Sequence, residues 1–439
     1  MAIRFNQELF EESLEEAGTL FVRRCQDLDP PELGLSQVRS LDDRLDAHLD
    51  LLFFGGKDAA DFCRAVPLDG GGAVYAATRT LAHAGNMAAL RVTANEALAL
   101  NVDPNRLAAR EPSPAEALRT ALAHEPWGGD LGDVQATLVA GGAAPEAEAL
   151  AYAAGYQRWD VGPALLAGLR QGVPTPATWL WALGQIGEAP ARDALIEALG
   201  ASEAPVARAA ALALCRTEDP QLAHWLLAQA LNQAWAPVVL AFLGGPRAAS
   251  LLAKHIETGD AFATFAAGLL GDGALVPTLL RALTIEGLAP AAAQALHLMS
   301  GIGPVEHVIE PPNADEASRE RAPSDADPLW RLSQDEAPWT EALARARLVL
   351  APATRYRMGK IASPEESLSA LYSQHLRGQM RALLIDELFV RYGLGVHLRA
   401  DQHAGRQLRV LEKLEGFLPQ MATKPVPGAF SFQGRGGFA

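Results

Sequence analysis

Three aspartates, Asp42, Asp46 and Asp50, fall at i, i+4 and i+8 with His48 beside them. Carboxylates one helical turn apart share a face, and hard oxygen ligands placed that way suit a divalent cation. A solvated helix face has the same pattern, with Arg44 and water offsetting the acids, and we read it so because charge runs usually mean this. Other chemistry is ruled out by spacing. Gly55-Gly56-Lys57 is followed by Asp58 and Ala59, not by the hydroxyl residue of a phosphate loop. Gly271-Asp272-Gly273 lacks the later glycine of a dinucleotide fingerprint, and Ser300 lacks the preceding glycine of a nucleophile elbow. No His-Glu-x-x-His zinc motif is present, and the dipeptide His-Glu occurs once, at His124-Glu125. The sequence therefore assigns no catalytic residue, no metal ligand and no cofactor.

A different constellation points to binding. Glu197, Gln229, Lys254 and Arg281 fall in one column when the leucines of four short helices are aligned, each flanked by apolar residues such as Leu199, Leu231, Ile256 and Leu283. All four are long and polar. Any exposed helix position favours such residues; a row of them along a groove would instead touch a partner. Trp225 and Trp235 flank the same helices, where a buried tryptophan is packing and an exposed one is an interface anchor.

Those helices belong to a repeat. The segments ALGQIGEAPARDALIEALG from Ala182, ALCRTEDPQLAHWLLAQALN from Ala213, FLGGPRAASLLAKHIETG from Phe242 and LLGDGALVPTLLRALTIEG from Leu269 align at Gly184, Cys215, Gly244 and Gly271, in steps of 31, 29 and 27 residues. A period in the range of about 20–50 residues marks stacked units, none of which buries its apolar face alone. Each unit reads as an Ala/Leu-rich helix, a Gly- or Pro-punctuated turn and a second helix. Second helices line the inner face of such stacks, which is where the polar column is expected.

Composition agrees. The 439 residues are 49% hydrophobic but only 6% aromatic, and small apolar residues suit close helix packing. With 52 acidic against 37 basic residues the net charge is −15, which opposes nucleic acid as a partner. Cys25, Cys63 and Cys215 are far apart and odd in number, so they read as reduced thiols. MAIRFNQELFEE does not read as a signal peptide, and no apolar run reaches the ~18 residues of a membrane helix, so a cytoplasmic protein is expected.

Along the chain, residues 1–68 read as a helical region in which Leu41, Leu45, Leu49 and Leu52 share a face, Ser40 is the N-cap and Gly55-Gly56 ends the helix. Helical repeats are expected over 73–304, clearest over 177–300. Residues 305–345 read as an irregular acidic insert: 306–341 hold ten acids and three arginines, a net of −7, with five prolines. Trp330 and Trp339 stand out there as apolar anchors for a partner. Helical repeats return over 346–420, with Ser363, Pro364 and Glu366 forming a capping box. Residues 421–439 are a Gly/Phe-rich tail, frayed or docked as an extended segment.

The N-terminal LEEAGTLFVRRC and LDDRLDAHLDLL, the central ALGQIG, and the C-terminal RYRMGK and HLRGQMRALLIDELFVRYG resemble an uncharacterised bacterial family of HEAT-type (bilin-lyase-like) repeat proteins, whose genes tend to lie in type VI secretion clusters. The resemblance implies an all-α fold, an α-solenoid of HEAT-like repeats. It also implies a cytoplasmic, non-enzymatic scaffold that binds another protein, as adaptor or chaperone for an effector or spike component, without nucleic acid or membrane. An immunity protein masking a toxin, and an enzyme, are the alternatives. Glu197, Gln229, Lys254, Arg281, Trp225, Trp330 and Trp339 are the expected partner contacts.

Overall fold

The computed structural model describes residues 2–28, 35–100, 111–173, 176–217, 219–231, 233–307, 330–376, 378–420 and 426–430. Among these residues the chain forms 22 α-helices and two short antiparallel ribbons, so it is mostly helical. No helix among them is long and apolar enough to cross a membrane. Backbone contacts divide the chain into two compact units. Unit 1 comprises residues 1–26, 36–239 and 397–407, and unit 2 comprises 27–35, 240–396 and 408–439.

Unit 1 is organised around five helices that pack in succession: Gly71–His83 on Pro114–His124, then Ala147–Gln157, Pro176–Ile186 and Ala204–Cys215. Each is followed by a second helix, respectively Met87–Ala99, Leu131–Ala140, Gly162–Arg170, Arg192–Ala198 and Pro220–Gln229. Small residues set the spacing of the first helices. A Cβ on Gly184 would lie 2.5 Å from Ala213 Cα, and one on Gly155 would lie 2.6 Å from Ala182 Cα. Only hydrogen at these positions lets the backbones approach so closely. The turns are capped by short polar side chains: Ser113 and Glu116 form a reciprocal capping box, and Asn86, Asp130 and Asp219 accept from backbone N–H groups of the helices they start.

Two local readings of the N-terminal region change. Helix Leu35–Phe54 already contains Ser40, which is therefore not its cap. Asp42 is 1% exposed and not part of a solvated face.

In unit 2, helix Ala261–Leu270 packs on Ala289–Ser300 and on Gly378–Val390, and a Cβ on Gly268 would lie 2.6 Å from Ala295 Cα. The motif RYRMGK is a two-residue hairpin. Strands Tyr356–Arg357 and Lys360–Ile361 pair across Met358 and Gly359, both at positive φ (49° and 78°), as the twist of such a turn demands. Arg355 and Arg357 reach from it to the fully buried Glu387 of helix Gly378–Val390; the Arg357 contact measures 2.7 Å. Burial pushes the Glu387 carboxyl up, but Arg357, Arg355 and Arg391 outweigh it and hold it below the ordinary carboxylate range. The guanidinium groups also cap helix C-termini: Arg355 Nε donates to Leu270 O at 2.8 Å, Arg357 Nη1 to Gly268 O at 3.2 Å and Arg391 Nη2 to Ala241 O at 2.8 Å.

The acidic segment is more ordered at its ends than its composition implies. Val305–His307 pairs antiparallel with Trp330–Leu332, and Glu336–Ala346 is a helix. Residues 308–329 lie outside the described residues. Ser363 caps helix Pro364–Ala370 by accepting from Glu366 N, but the Glu366 carboxylate takes Lys360 Nζ at 3.0 Å, so the capping box is not reciprocal. Part of the tail docks: Gly428 N donates to Ala362 O at 2.7 Å, while 421–425 and 431–439 lie outside the described residues.

Candidate functional site

The residues singled out for partner binding are divided between the units. In unit 1, Glu197 and Gln229 are exposed on helices Arg192–Ala198 and Pro220–Gln229, and Trp225 on the latter is 40% exposed. In unit 2, Lys254 and Arg281 are exposed on Ala248–Glu257 and Val276–Ala282, and Arg281 Nη2 lies 4.0 Å from Glu257 Oε1. Trp339 is not an exposed anchor. It is fully buried and its indole N–H donates to Ser333 O at 2.7 Å, which makes it part of the unit 2 core. Trp330 lies in the strand Trp330–Leu332, and its side chain is outside the described residues. Trp235 is buried at 4% exposure.

A bias in unit 1 is more informative than the polar column. Among the described residues of unit 1, Phe54 at the end of helix Leu35–Phe54 is the most exposed large apolar side chain; within the helix pairs, Val92 and Leu98 lie on Met87–Ala99, Val139 on Leu131–Ala140 and Trp225 on Pro220–Gln229, with Leu231 just beyond it. The five first helices carry none. Single exposed leucines need no explanation, but in the three pairs that carry such residues they fall on the second helix or just beyond it, which makes that side the candidate face.

Unit 1 also holds a polar cluster that spacing alone did not reveal. Tyr75, Arg79 and His83 recur at i, i+4 and i+8 on helix Gly71–His83, one face of which meets Glu125. Arg79 Nη2 and Nε donate to Glu125 Oε2 at 2.7 and 3.0 Å, and His83 Nδ1 lies 2.9 Å from Oε1. Arg24 pairs with Asp42 and donates to the carbonyls of Asp401 and Gln402 at 2.8 and 3.0 Å. Burial opposes the charge of both arginines, but Asp42 beside Arg24, and Tyr75 and Glu125 beside Arg79, hold both above their ordinary values. Asp42 Oδ2 accepts from Ala404 N at 2.6 Å, and His403 Nε2 lies 3.3 Å from Asp46 Oδ2. Burial, with Asp42 and Asp50 nearby, raises the Asp46 pKa despite Arg79 and His403.

Beside this cluster lies a cavity of about 320 Å3 whose wall includes Asp46, Asp50, Phe53, Tyr75, His124 and Tyr156. The single His-Glu dipeptide is thus part of its wall, with Glu125 bonded to Arg79. Among the described residues no three His, Cys, Asp or Glu side chains converge to hold a metal ion. Comparison with protein-family models, with curated proteins and with solved structures finds no match for the chain.

Proposed function

We propose that the stacked helix pairs are HEAT-like repeats of an α-solenoid and that the protein is a cytoplasmic, non-enzymatic scaffold that binds another protein through its second helices. The observation that carries this reading is the confinement of Val92, Leu98, Val139, Trp225 and Leu231 to second helices and their ends, while the first helices are spent on packing. An apolar anchor such as Trp225 with long polar neighbours such as Gln229 has the chemistry of an interface core with its polar rim. The motif resemblance supports a partner from a type VI secretion system, an effector or spike component that this scaffold holds as adaptor or chaperone.

The experiment is a pull-down from the native host, repeated with Trp225→Ala and with Leu231→Asp. Loss of the same partner by both variants, with helicity unchanged, supports the second-helix surface. Retention at full yield by both refutes it. For the secretion role, deletion of the gene should weaken killing of neighbouring cells without sensitising the strain to its siblings. Self-intoxication rescued by this protein alone would instead establish an immunity function.

A further inference from the structure

An open groove of about 940 Å3 in unit 1 is walled by helix Gly56–Ala65 and by the second helices Met87–Ala99 and Leu131–Ala140. It shares no lining residue with the cavity beside Arg79 and Glu125. Small residues make the space: Ala84, Ala88, Ala136 and Ala140 border it and are exposed. The polar side chains between them are already engaged. Asn86 Oδ1 accepts from Ala89 N at 3.0 Å, and the Thr137 hydroxyl donates to Asp133 O at 3.0 Å. Phe54, 96% exposed, stands two residues before Gly56, which borders the groove.

Charge is divided among the walls. On helix Gly56–Ala65 the Lys57 ammonium has no hydrogen bond or ion pair among the described residues, whereas Asp61 is offset by Arg64 at 3.5 Å. On Leu131–Ala140 the Asp133 carboxylate is likewise unpaired among the described residues. On Met87–Ala99 the Arg91 Nε donates to the fully buried Glu146 at 2.7 Å, which offsets the guanidinium and holds it in place. The groove therefore sets one free cation and one free anion on different walls of an apolar trough.

This combination selects a class of occupant. An extended strand needs a sheet edge for its backbone groups, and helical walls offer none. A helix satisfies its own backbone and needs only an apolar stripe for the trough and charges on its flanks. An acid on one flank meets Lys57, and a base on the other meets Asp133. We infer that the groove docks an amphipathic helix of a partner protein, its apolar stripe on the four alanines, an acidic residue toward Lys57 and a basic one toward Asp133. The inference rests on the second-helix reading above and names the chemistry of the partner.

The test is fluorescence anisotropy of the full chain with labelled alanine-based peptides of about 18 residues, held helical by a side-chain lactam and carrying one stripe of leucines. One peptide has glutamates on one flank and lysines on the other, a second has lysines on both, and a third is the mixed sequence with a central proline in place of the lactam. The mixed peptide should bind saturably with a Kd below about 1 mM, and about tenfold more tightly than the proline form. Ala136→Gln sends a long polar chain into the trough without changing charge, and should weaken this binding about tenfold, as loss of one buried leucine would. Lys57→Glu should reverse the flank preference, so that the lysine-flanked peptide binds better than the mixed one. Both positions are exposed, so helicity by circular dichroism should be unchanged. The inference is overturned by no saturable binding of the mixed peptide, by equal binding of the proline form, by indifference to Ala136→Gln, or by an unaltered preference in Lys57→Glu. A dimer of the free chain that Ala136→Gln dissociates would also overturn it, by making a second copy the occupant. The second-helix reading is judged separately, by partner capture with Trp225→Ala and Leu231→Asp, which lie outside this groove and should leave the peptide bound.

Discussion

Replacing Glu387 with glutamine should destabilise unit 2 more than any other single charge removal in it. The carboxylate is fully buried and accepts from Arg357 at 2.7 and 3.3 Å, from Ser367 at 3.1 Å and from Arg355, with Arg391 Nε 3.8 Å away. Glutamine retains the shape but leaves three buried guanidinium groups without a counter-ion. Breaking one side of a buried ion pair costs ~3–5 kcal/mol. Because Leu270 O, Gly268 O and Ala241 O still accept from the arginines, the lower end, about 3 kcal/mol, is expected. Urea denaturation followed by circular dichroism measures this as a drop in the unfolding midpoint. The control is Arg345→Gln, whose pair with Glu341 is 75% and 71% exposed and should contribute no more than ~0.5 kcal/mol. Because the folded pKa of Glu387 is depressed, its contribution is present above the unfolded value of about 4.3 and fades as pH falls through the lower folded value. The variant should lack that portion of the acid destabilisation. Equal midpoint shifts for Glu387→Gln and Arg345→Gln would refute the reasoning.

Gly184→Ala should cost ~1–3 kcal/mol in unit 1, since its Cβ would meet Ala213 Cα at 2.5 Å; thermal melts decide it, and a neutral result would mean the helices move apart freely. Trp339→Phe should cost ~1–3 kcal/mol by orphaning the Ser333 carbonyl, measured by urea midpoint. Trp225→Ala should leave the midpoint within ~1 kcal/mol while reducing partner capture. The double variant Lys254→Glu, Arg281→Glu should melt within about 1 kcal/mol of the parent, because both residues are exposed and the Glu257 contact spans 4.0 Å; unchanged partner affinity would remove these two residues from the interface.

The helical pairs were legible because their signals are local. Ala/Leu periodicity and the glycines and prolines at turns act within a few residues, and the structure adds Asn86, Ser113 and Asp219 as caps that the sequence reading did not single out. The short strands carried no such signal: Tyr356–Arg357 is two residues long, and Met358 at φ 49° is not a residue that announces a left-handed turn. Trp339 misled because a tryptophan among acids reads as a contact, whereas its partner is Ser333 O six residues away on a turn no periodicity predicts. The polar cluster was partly legible. Asp42 stands three and seven residues before Leu45 and Leu49, on the apolar stripe, so its burial could have been read from the sequence. What no pattern contained was Arg24 as its partner, or the arrival of residues 401–404 from the far end of the chain.

The two buried charge clusters are built on one plan. In unit 2 the motif arginines meet Glu387 and the carbonyl ends of helices, so residues of RYRMGK and IDELFVRYG hold one another. In unit 1 the pairs Arg24–Asp42 and Arg79–Glu125 are equally closed, and they hold Tyr75, and through it His124, in one orientation. His124 and Tyr156 in turn interact with the carboxylate of Asp401, which comes from a segment far along the chain. Removing one partner of such a cluster leaves a buried charge uncompensated, so each cluster ties segments distant in sequence into its own unit.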